Sequence, residues 1–233
     1  MTKTFLKKLM HHSMVLAVVL SIGWFAVPSQ ATPLACATSV LPSQTQFPSN
    51  CTGVPAGTLL AKVVDPWSFA PATNTHGTLD AAVYMNPSGT LDFYYQVNND
   101  ASSATSLRAE SNVDFTGFLT SVAYRLDGGG LAGSPFTNGG DIPDTADRSA
   151  TSETVGFNFN VFAPPEIHPG QSSAVLVIST NATQFTTGFS EILDGGSATV
   201  ATFQPTVPEP MSLVLLGSGL VGLGLLRKRN KKA

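Results

Sequence analysis

The stretch TLDFYYQV, residues 90–97, decides the fold class of this chain. Its odd positions carry Leu, Phe, Tyr and Val, while Asp92 and Gln96 at even positions point to the opposite face of an extended backbone. The large ring of Tyr94 interrupts this alternation. A period of two is typical of an antiparallel strand with one face in a core and the other towards solvent. The stretch therefore predicts a half-buried β-strand.

Short β-prone runs separated by turn residues continue over residues 56–203, with no stretch of helical periodicity. Residues 155–161 repeat the alternation, whereas residues 175–178 are continuously apolar and indicate a central strand covered on both faces. We predict an all-β domain over residues 56–205, an antiparallel β-sandwich of the immunoglobulin-like, Greek-key type. Its nine strands are placed at residues 58–64, 78–85, 90–97, 106–113, 121–126, 154–162, 173–179, 184–189 and 197–203.

One long connection does not fit the strand pattern. Residues 127–147 are rich in Gly, and we predict a loop there that carries Asp141, Asp144 and Asp147 at a spacing of three. Carboxylate oxygens are ligands that Ca²⁺ prefers, but the spacing lacks the alternate-residue pattern and the bidentate Glu of an EF-hand loop. We therefore predict a solvated acidic loop and no resident cofactor, with Ca²⁺ as the alternative.

The first 31 residues are typical of a secretory signal peptide. Lys3, Lys7 and Lys8 form a basic start, residues 13–27 are apolar, and a Ser-Gln-Ala sequence ends at Ala31. We expect a signal helix here and cleavage by signal peptidase after Ala31. Small residues at positions 35–37 offer a second cleavage site.

Only two cysteines occur, Cys36 and Cys51, and both lie beyond this leader. An even count in an exported chain favours a disulfide. In the chain-entropy model, closing a loop of about 15 residues stabilises a fold by roughly 3 kcal/mol. Two unpaired thiols are the alternative. The bond is expected to restrain a Pro- and Ser-rich N-terminal extension, residues 32–55.

Charge is distributed unevenly along the chain. Of the twelve Lys and Arg residues, three lie in the leader and five in the last seven residues, while all fifteen Asp and Glu residues lie between Asp65 and Glu209. Residues 32–210 thus hold four cations against fifteen carboxylates, a net charge of −11. Such a segment repels polyanions, so nucleic acid is excluded as an expected partner.

The last 27 residues combine a turn motif, an apolar run and a basic tail. The motif is Val207, Pro208, Glu209 and Pro210, and its two prolines keep the backbone extended, as a processing enzyme's cleft requires. Residues 211–226 are uncharged and are expected to form a transmembrane helix, although about 24 Å of helix falls short of the ~30 Å hydrocarbon core. The cations that follow are expected to stay in the cytoplasm. They are Arg227, Lys228, Arg229, Lys231 and Lys232.

In order and spacing, these three parts resemble the PEP-CTERM protein-sorting signal of Gram-negative bacteria that make exopolysaccharide. The resemblance implies that an exosortase recognises the tail and cuts it near residues 207–210. The segments TLDFYYQVNND, FTGFLTSVAYRLDG, HPGQSSAVLVISTNATQF and ILDGGSATVATFQP also resemble the β-rich body found upstream of such tails. This second similarity implies an exported domain without an assigned activity, and extracellular polysaccharide as a further candidate partner.

The sequence between the two signals offers no catalytic motif. It lacks G-x-S-x-G, H-E-x-x-H and P-loop patterns, and its two histidines, His76 and His168, each lie beside a turn residue. We therefore predict no catalytic residues; a glycan hydrolase that acts through two carboxylates is the enzyme alternative. Trp67 is the only tryptophan outside the leader. A buried ring would fill the core, which is the expectation, whereas an exposed ring would be a binding platform for sugars.

Together these observations predict a secreted, non-enzymatic protein. It is held briefly in the inner membrane with its C-terminus in the cytoplasm, cut near residues 207–210, and delivered to the cell surface or the extracellular matrix. A carbohydrate-binding or glycan-hydrolysing module and a permanently anchored structural protein are the alternatives.

Overall fold

The computed structural model describes residues 34–69, 74–159 and 166–206. In these ranges the chain consists of strands joined by turns, with a short 3₁₀ turn at Gly128–Gly130. In chain order the strands are β1 Thr38–Ser39, β2 Thr45–Gln46, β3 Ser49–Asn50, β4 Thr58–Ser68, β5 His76–Met85, β6 Leu91–Asn99, β7 Ala109–Asn112, β8 Thr120–Arg125, β9 Thr145–Arg148, β10 Val155–Asn158, β11 Val175–Thr180, β12 Phe185–Leu193 and β13 Ser197–Pro205.

The strands form two sheets. The first sheet has the order β1, β8, β11, β6, β5, β4, and β3 also pairs with β8. The second sheet has the order β13, β12, β7, β10, β9, β2. Neighbours are antiparallel, apart from the short parallel contact between β3 and β8. The prediction of an all-β domain with antiparallel sheets is confirmed.

Each of the nine predicted strands overlaps an observed strand, but several ends differ. β4 continues to Ser68 and β12 continues to Leu193, beyond the predicted ends at residues 64 and 189. In both cases the neighbouring strand keeps supplying backbone partners, β5 as far as His76 and β13 from Ser197 onward. The length of these strands is therefore set by their partners rather than by the local apolar pattern.

The predicted loop at residues 127–147 is wrong at its end, where β9 begins at Thr145. β9 pairs with β10 on one side and with β2 on the other. Its sequence, TADR, has a single apolar residue and no alternation, so the strand depends on hydrogen bonds from its neighbours rather than on its own pattern. The two-residue strands β1 to β3 were missed for the same reason, and they join the N-terminal segment to both sheets.

The two sheets share one apolar core. The first sheet contributes Phe93 and Ile178 among others, and the second sheet contributes Phe157 and Ile192. All four side chains are fully buried, and each such side chain contributes about 1.5–3 kcal/mol through burial. The odd positions of β6 face this core, as the alternation in the sequence predicts.

The other face of the first sheet is covered as well. A second cluster contains Tyr84 and Tyr94 from β5 and β6, whose ring centroids lie 4.7 Å apart. Cys51 of the N-terminal segment and Phe136 of the long loop pack over them. Residues 175–178 are buried on both faces, as predicted. The prediction that residues 90–97 are half-buried is wrong, because these two segments cover the face that carries Tyr94.

The disulfide between Cys36 and Cys51 closes the N-terminal segment over this face and confirms the predicted pairing. Cys51 is fully buried, and its amide donates to the carbonyl of Tyr124 in β8 at 2.8 Å. The disulfide therefore closes a loop within the segment, and backbone hydrogen bonds attach this loop to the first sheet.

The two predicted helices, the signal helix in residues 1–31 and the transmembrane helix at residues 211–226, lie outside the described residues. Within residues 34–69, 74–159 and 166–206, no helix has the length and apolar character needed to cross a membrane.

We expect the double variant Cys36→Ala, Cys51→Ala to lose about 3 kcal/mol of unfolding free energy, because its unfolded chain regains the freedom of a loop of about 15 residues. Chemical denaturation under non-reducing conditions measures this loss. Reduction of the wild-type protein is the matched control and should reproduce it. An unchanged denaturation midpoint would show that hydrogen bonds alone hold the N-terminal segment in place.

Candidate functional site

The chain leaves the second sheet at the end of β13. Within the described part of the chain β13 pairs with β12 alone, so it is an edge strand. The ladder ends with the pair Phe185 and Pro205, and the amide of Thr206 then donates to the carbonyl of Gln184 at 3.0 Å. The backbone is thus held by the sheet up to Thr206, one residue before Val207.

Side chains of the first sheet cap the outer edge of β13. A carboxylate oxygen of Asp65 accepts a hydrogen bond from the amide of Ala201 at 3.0 Å. The hydroxyl of Tyr95 donates to the carbonyl of Phe203, also at 3.0 Å. Pro205 has no N–H to offer. An uncapped edge strand presents a row of unpaired backbone groups with which another strand can pair. These contacts therefore leave fewer free amides and carbonyls at this end of β13.

The predicted sorting residues, 207–210, lie outside the described residues, as do the basic residues after position 226 and the cleavage site at Ala31. Comparison with known families matches residues 206–229 to the PEP-CTERM protein-sorting motif. This chain carries a PEP-CTERM sorting motif. The resemblance seen in the tail is thereby confirmed, and the matched region begins at Thr206, directly after the end of β13.

The PEP-CTERM match includes the motif of residues 207–210, the apolar run at 211–226 and the first basic residues, up to Arg229. The motif implies export with sorting at a membrane and processing by an exosortase. No curated protein and no solved structure matches the chain. The functional argument therefore rests on the PEP-CTERM motif and on the geometry of the domain.

Of the three aspartates proposed as a Ca²⁺ alternative, Asp144 and Asp147 both contact Asn158 of β10, whereas Asp141 is held by the first sheet. Asp141 forms a bridge with Ser173, which precedes β11 in the first sheet. Asp147 lies in β9 of the second sheet, where its carboxylate accepts a hydrogen bond from Asn158 at 3.4 Å. Among the residues that the structure describes, no group of three metal-binding side chains comes together.

His76 belongs to a polar cluster at the end of the domain opposite Thr206. The hydroxyl of Ser102 donates to Asp100 at 2.6 Å and lies 3.1 Å from Nε2 of His76. Asp100 lies 3.6 Å from the same Nε2, and the hydroxyl and amide of Ser102 lower the pKa of its carboxyl. In a catalytic triad the hydroxyl and the acid contact opposite ring nitrogens. Here both approach one nitrogen, so the arrangement is not that of a triad.

His168 makes a second contact with a serine on the same connection between β6 and β7. Its Nδ1 lies 2.7 Å from the hydroxyl of Ser106. Partial burial raises the pKa of the Asp141 carboxyl, and the nearby His168 partly offsets this shift. Two serines of this connection, Ser102 and Ser106, therefore contact the two histidines and tie the loops together at this end of the domain.

Trp67 lies in the main core and is 4% exposed. Its ring centroid is 5.5 Å from that of Phe69. A Cβ added to Gly77 would come within 2.7 Å of the indole ring and within 1.9 Å of the carbonyl of Asn98, so the glycine permits the close approach of this ring. A platform for sugars needs an exposed ring face.

The main core also contains a polar group that the sequence did not reveal. Glu110 and Asn112 of β7 are each 1% exposed, and the amide of Asn112 donates to Glu110 at 2.9 Å. The hydroxyl of Ser190 donates to Asn112, whereas the second carboxyl oxygen of Glu110 and the hydroxyl of Thr202 have no partner. Burial raises the pKa of Glu110 to about 8, although the hydrogen bond from Asn112 opposes this shift.

Asp92 is the corresponding group on the covered outer face of the first sheet. It is fully buried and accepts hydrogen bonds from Ser179 at 2.6 Å and from Asn86 at 3.1 Å. Burial raises the pKa of Asp92 to about 6 against these two hydrogen bonds. Asp92, at an even position of β6, thus lies in the interior of the protein rather than in solvent.

We expect the stability of the protein to fall between about pH 5 and pH 9, by a few kcal/mol, because folding favours the protonated form of Glu110. Its pKa of about 8 in the fold exceeds the ordinary value of 4.5, so this contribution is complete below pH 4.5 and is lost as the pH rises through 8. Glu110→Gln should flatten the decline, as measured by thermal unfolding across this range. The control Glu191→Gln, at an exposed site, should show the same decline as the wild type. Equal profiles for Glu110→Gln and wild type would contradict the role of Glu110 in this decline.

The variant Trp67→Ala should lose about 3–5 kcal/mol of unfolding free energy, because a buried indole leaves a cavity that the sheets cannot fill. Urea denaturation measures the loss, and Trp67→Phe, which keeps an aromatic ring, should lose less. A loss of under about 1 kcal/mol for Trp67→Ala would mean that the ring is not packed in the core in solution.

Proposed function

We propose that this chain is an exported, non-enzymatic protein of the cell surface or extracellular matrix, sorted by its PEP-CTERM tail and released from the membrane by an exosortase. The position of the motif carries the proposal: the match begins at Thr206, directly after β13 ends at Pro205. A cut within residues 207–210 therefore leaves every described strand in the released product.

The proposed route has two processing steps. Signal peptidase removes residues 1–31, after which the apolar run at 211–226 holds the chain as a single-pass intermediate in the inner membrane, with a cytoplasmic C-terminus. The disulfide between Cys36 and Cys51 supports this route, because such bonds persist in oxidising compartments outside the cytoplasm. The exosortase then cuts the tail, and extracellular polysaccharide is the proposed surrounding of the released domain.

The absence of enzymatic activity is part of the proposal. The contacts of His76 with Ser102 and Asp100 support it, because they do not have the geometry of a triad. The burial of Trp67 supports a structural use of this ring rather than a sugar-binding one. A module that binds or hydrolyses carbohydrate is the competing function.

For the architecture we propose an immunoglobulin-like sandwich with Greek-key connections. Support comes from the chain path, since β6 to β7, β7 to β8, β8 to β9 and β10 to β11 each cross from one sheet to the other. Connections that change sheets in this way are common in Greek-key sandwiches.

The sorting proposal predicts the mass of the mature protein. When the full chain is produced in a bacterium that has an exosortase, intact mass spectrometry of the surface or released fraction should show a species that ends within residues 207–210. A variant with alanine at Pro208, Glu209 and Pro210 should accumulate uncut in the membrane fraction. The control Pro87→Ala, at an exposed turn, should be processed normally.

Retention of residues 227–233 in every mature species would contradict cleavage and favour the permanently anchored protein. Binding of the released domain to purified glycans, lost on a substitution that leaves its denaturation midpoint unchanged, would favour the carbohydrate alternative.

A further inference from the structure

The link between the folded domain and the apolar run is short. Thr206 is fixed by its hydrogen bond to Gln184, and the apolar run begins at Met211. Five residues of fully extended chain span about 18 Å at most. The headgroup layer of a bilayer occupies roughly 5–8 Å of this length on each side. With the tail in the membrane, the part of the domain around Thr206 must therefore lie close to the lipid surface.

The hydrogen bonds around Thr206 show which side chains share its end of the domain. Gln184 closes the turn at residues 181–184, and the side chain of Asn181 in this turn accepts from the amide of Leu119 at 2.9 Å. The carbonyl of Ala182 accepts from Leu91, at 2.9 Å, and Leu91 is the strand partner of Met85. Leu119 and Met85 are thus fixed to the same turn as Thr206.

Leu41 belongs to the same end, because Val40 beside it exchanges hydrogen bonds with Thr120. Three large apolar side chains are exposed here: Leu41 is 50% exposed, Leu119 45% and Met85 39%. We call these three residues, the turn at 181–184 and the loop at 114–119 the exit face. Large apolar side chains are exposed elsewhere on the domain too, so apolar character alone does not select this face; the short link to the tail does.

The charges of the exit face limit the kind of lipid that it can approach. The loop at 114–119 and the turn at 181–184 contain no Lys or Arg, and Asp114 is exposed. Arg148 lies beneath this end but is 5% exposed, and its guanidinium donates to the carbonyls of Phe115, Phe118 and Ser152. A surface with an exposed carboxylate and no exposed cation is not attracted to anionic headgroups.

We propose that the exit face is a membrane-contacting surface, which rests on headgroups without net charge, with Leu41, Met85 and Leu119 at the interface, while the tail is in the bilayer. This proposal rests on the proposed function, because it needs the apolar run to insert. It adds an orientation: the exit face points to the membrane and the cluster around His76 and Ser102 points away. An exosortase in the membrane therefore meets the motif beside the folded end of β13.

Site-specific labelling tests the orientation. The native cysteines are bonded to each other, so Thr116→Cys in the exit face and Ala101→Cys at the opposite end each give one free thiol at an exposed position. The chain, with its leader removed and its tail retained, is labelled with a polarity-sensitive fluorophore and incorporated into phosphatidylcholine vesicles. A water-soluble quencher should act at least about threefold more slowly on the Thr116 label than on the Ala101 label.

Two variants sharpen the result. A flexible Gly-Ser insert of 12 residues between Thr206 and Val207 lengthens the link by roughly 20 Å and should remove the protection of the Thr116 label. Replacing Leu41 and Leu119 with Ser should reduce the protection while the tail still inserts. Vesicles that contain phosphatidylglycerol should protect this label less than neutral vesicles do.

Flotation with the vesicles separates the two proposals. If the chain does not float, or floats equally without residues 207–233, the membrane step of the proposed function is wrong. The proposed orientation of the exit face towards the membrane is then wrong too. If the chain floats through its tail but both labels are quenched at the same rate, the membrane-contacting role of the exit face alone is refuted. Protection that is unchanged by the insert or by anionic lipid would refute it as well.

Discussion

The burial of the first sheet on both faces is the constraint on which the rest of the structure depends. Its central strands, β6 and β11, carry apolar side chains towards the second sheet and towards the N-terminal segment. This segment contributes Cys51, Leu34 and Val54 to the cluster on that face, and hydrogen bonds and a covalent bond hold it in place as well. The amide of Leu34 donates to Ser179 at 2.7 Å, and Arg125 donates both to Asp127 and to the carbonyl of Val54. The disulfide then restricts the part of the segment between these attachments.

Because both faces of the first sheet are covered, carboxyl groups are buried on both sides of it. Asp92 lies under the N-terminal segment and Glu110 lies between the sheets, and burial raises the pKa of each carboxyl. A charged carboxylate in either place would need a cation, and the hydrogen bonds that Asp92 and Glu110 accept come from neutral groups. Protonation is the less costly solution, which ties the stability of the domain to mildly acidic conditions. The tyrosine hydroxyl that caps β13 comes from the same crowded interior, since burial and the nearby Glu110 raise the pKa of Tyr95 well above its usual value.

The sequence predicted the features that depend on local periodicity and missed those that depend on partners. The alternation at residues 90–97 and the apolar run at 175–178 identified β6 and β11, because side chains on a core face must be apolar. β9 and the two-residue strands carry no such pattern, since their neighbours supply the ordering. In β7 the face that carries the polar residues Glu110 and Asn112 points into the core, which no local pattern indicates. The burial of Trp67 was expected from the usual burial of this residue type and is confirmed. The separation of Asp141 from Asp147 depends on how the sheets pack, which residue spacing does not encode.

The proposed processing of the two ends changes the net charge of the chain but not the charge of the domain itself. The leader and the last seven residues hold eight of the twelve cations, so the chain changes from a net charge of −3 to −11 over residues 32–210. In the proposed membrane-held state the basic tail would lie across the bilayer from the domain, too far away to neutralise it within a Debye length of about 8 Å. The domain is therefore strongly acidic before and after release, and it is repelled by acidic polysaccharide and by anionic lipid alike. Any lasting association outside the cell must then use neutral surface of the domain, or a divalent cation bridging two anionic partners, rather than general charge attraction.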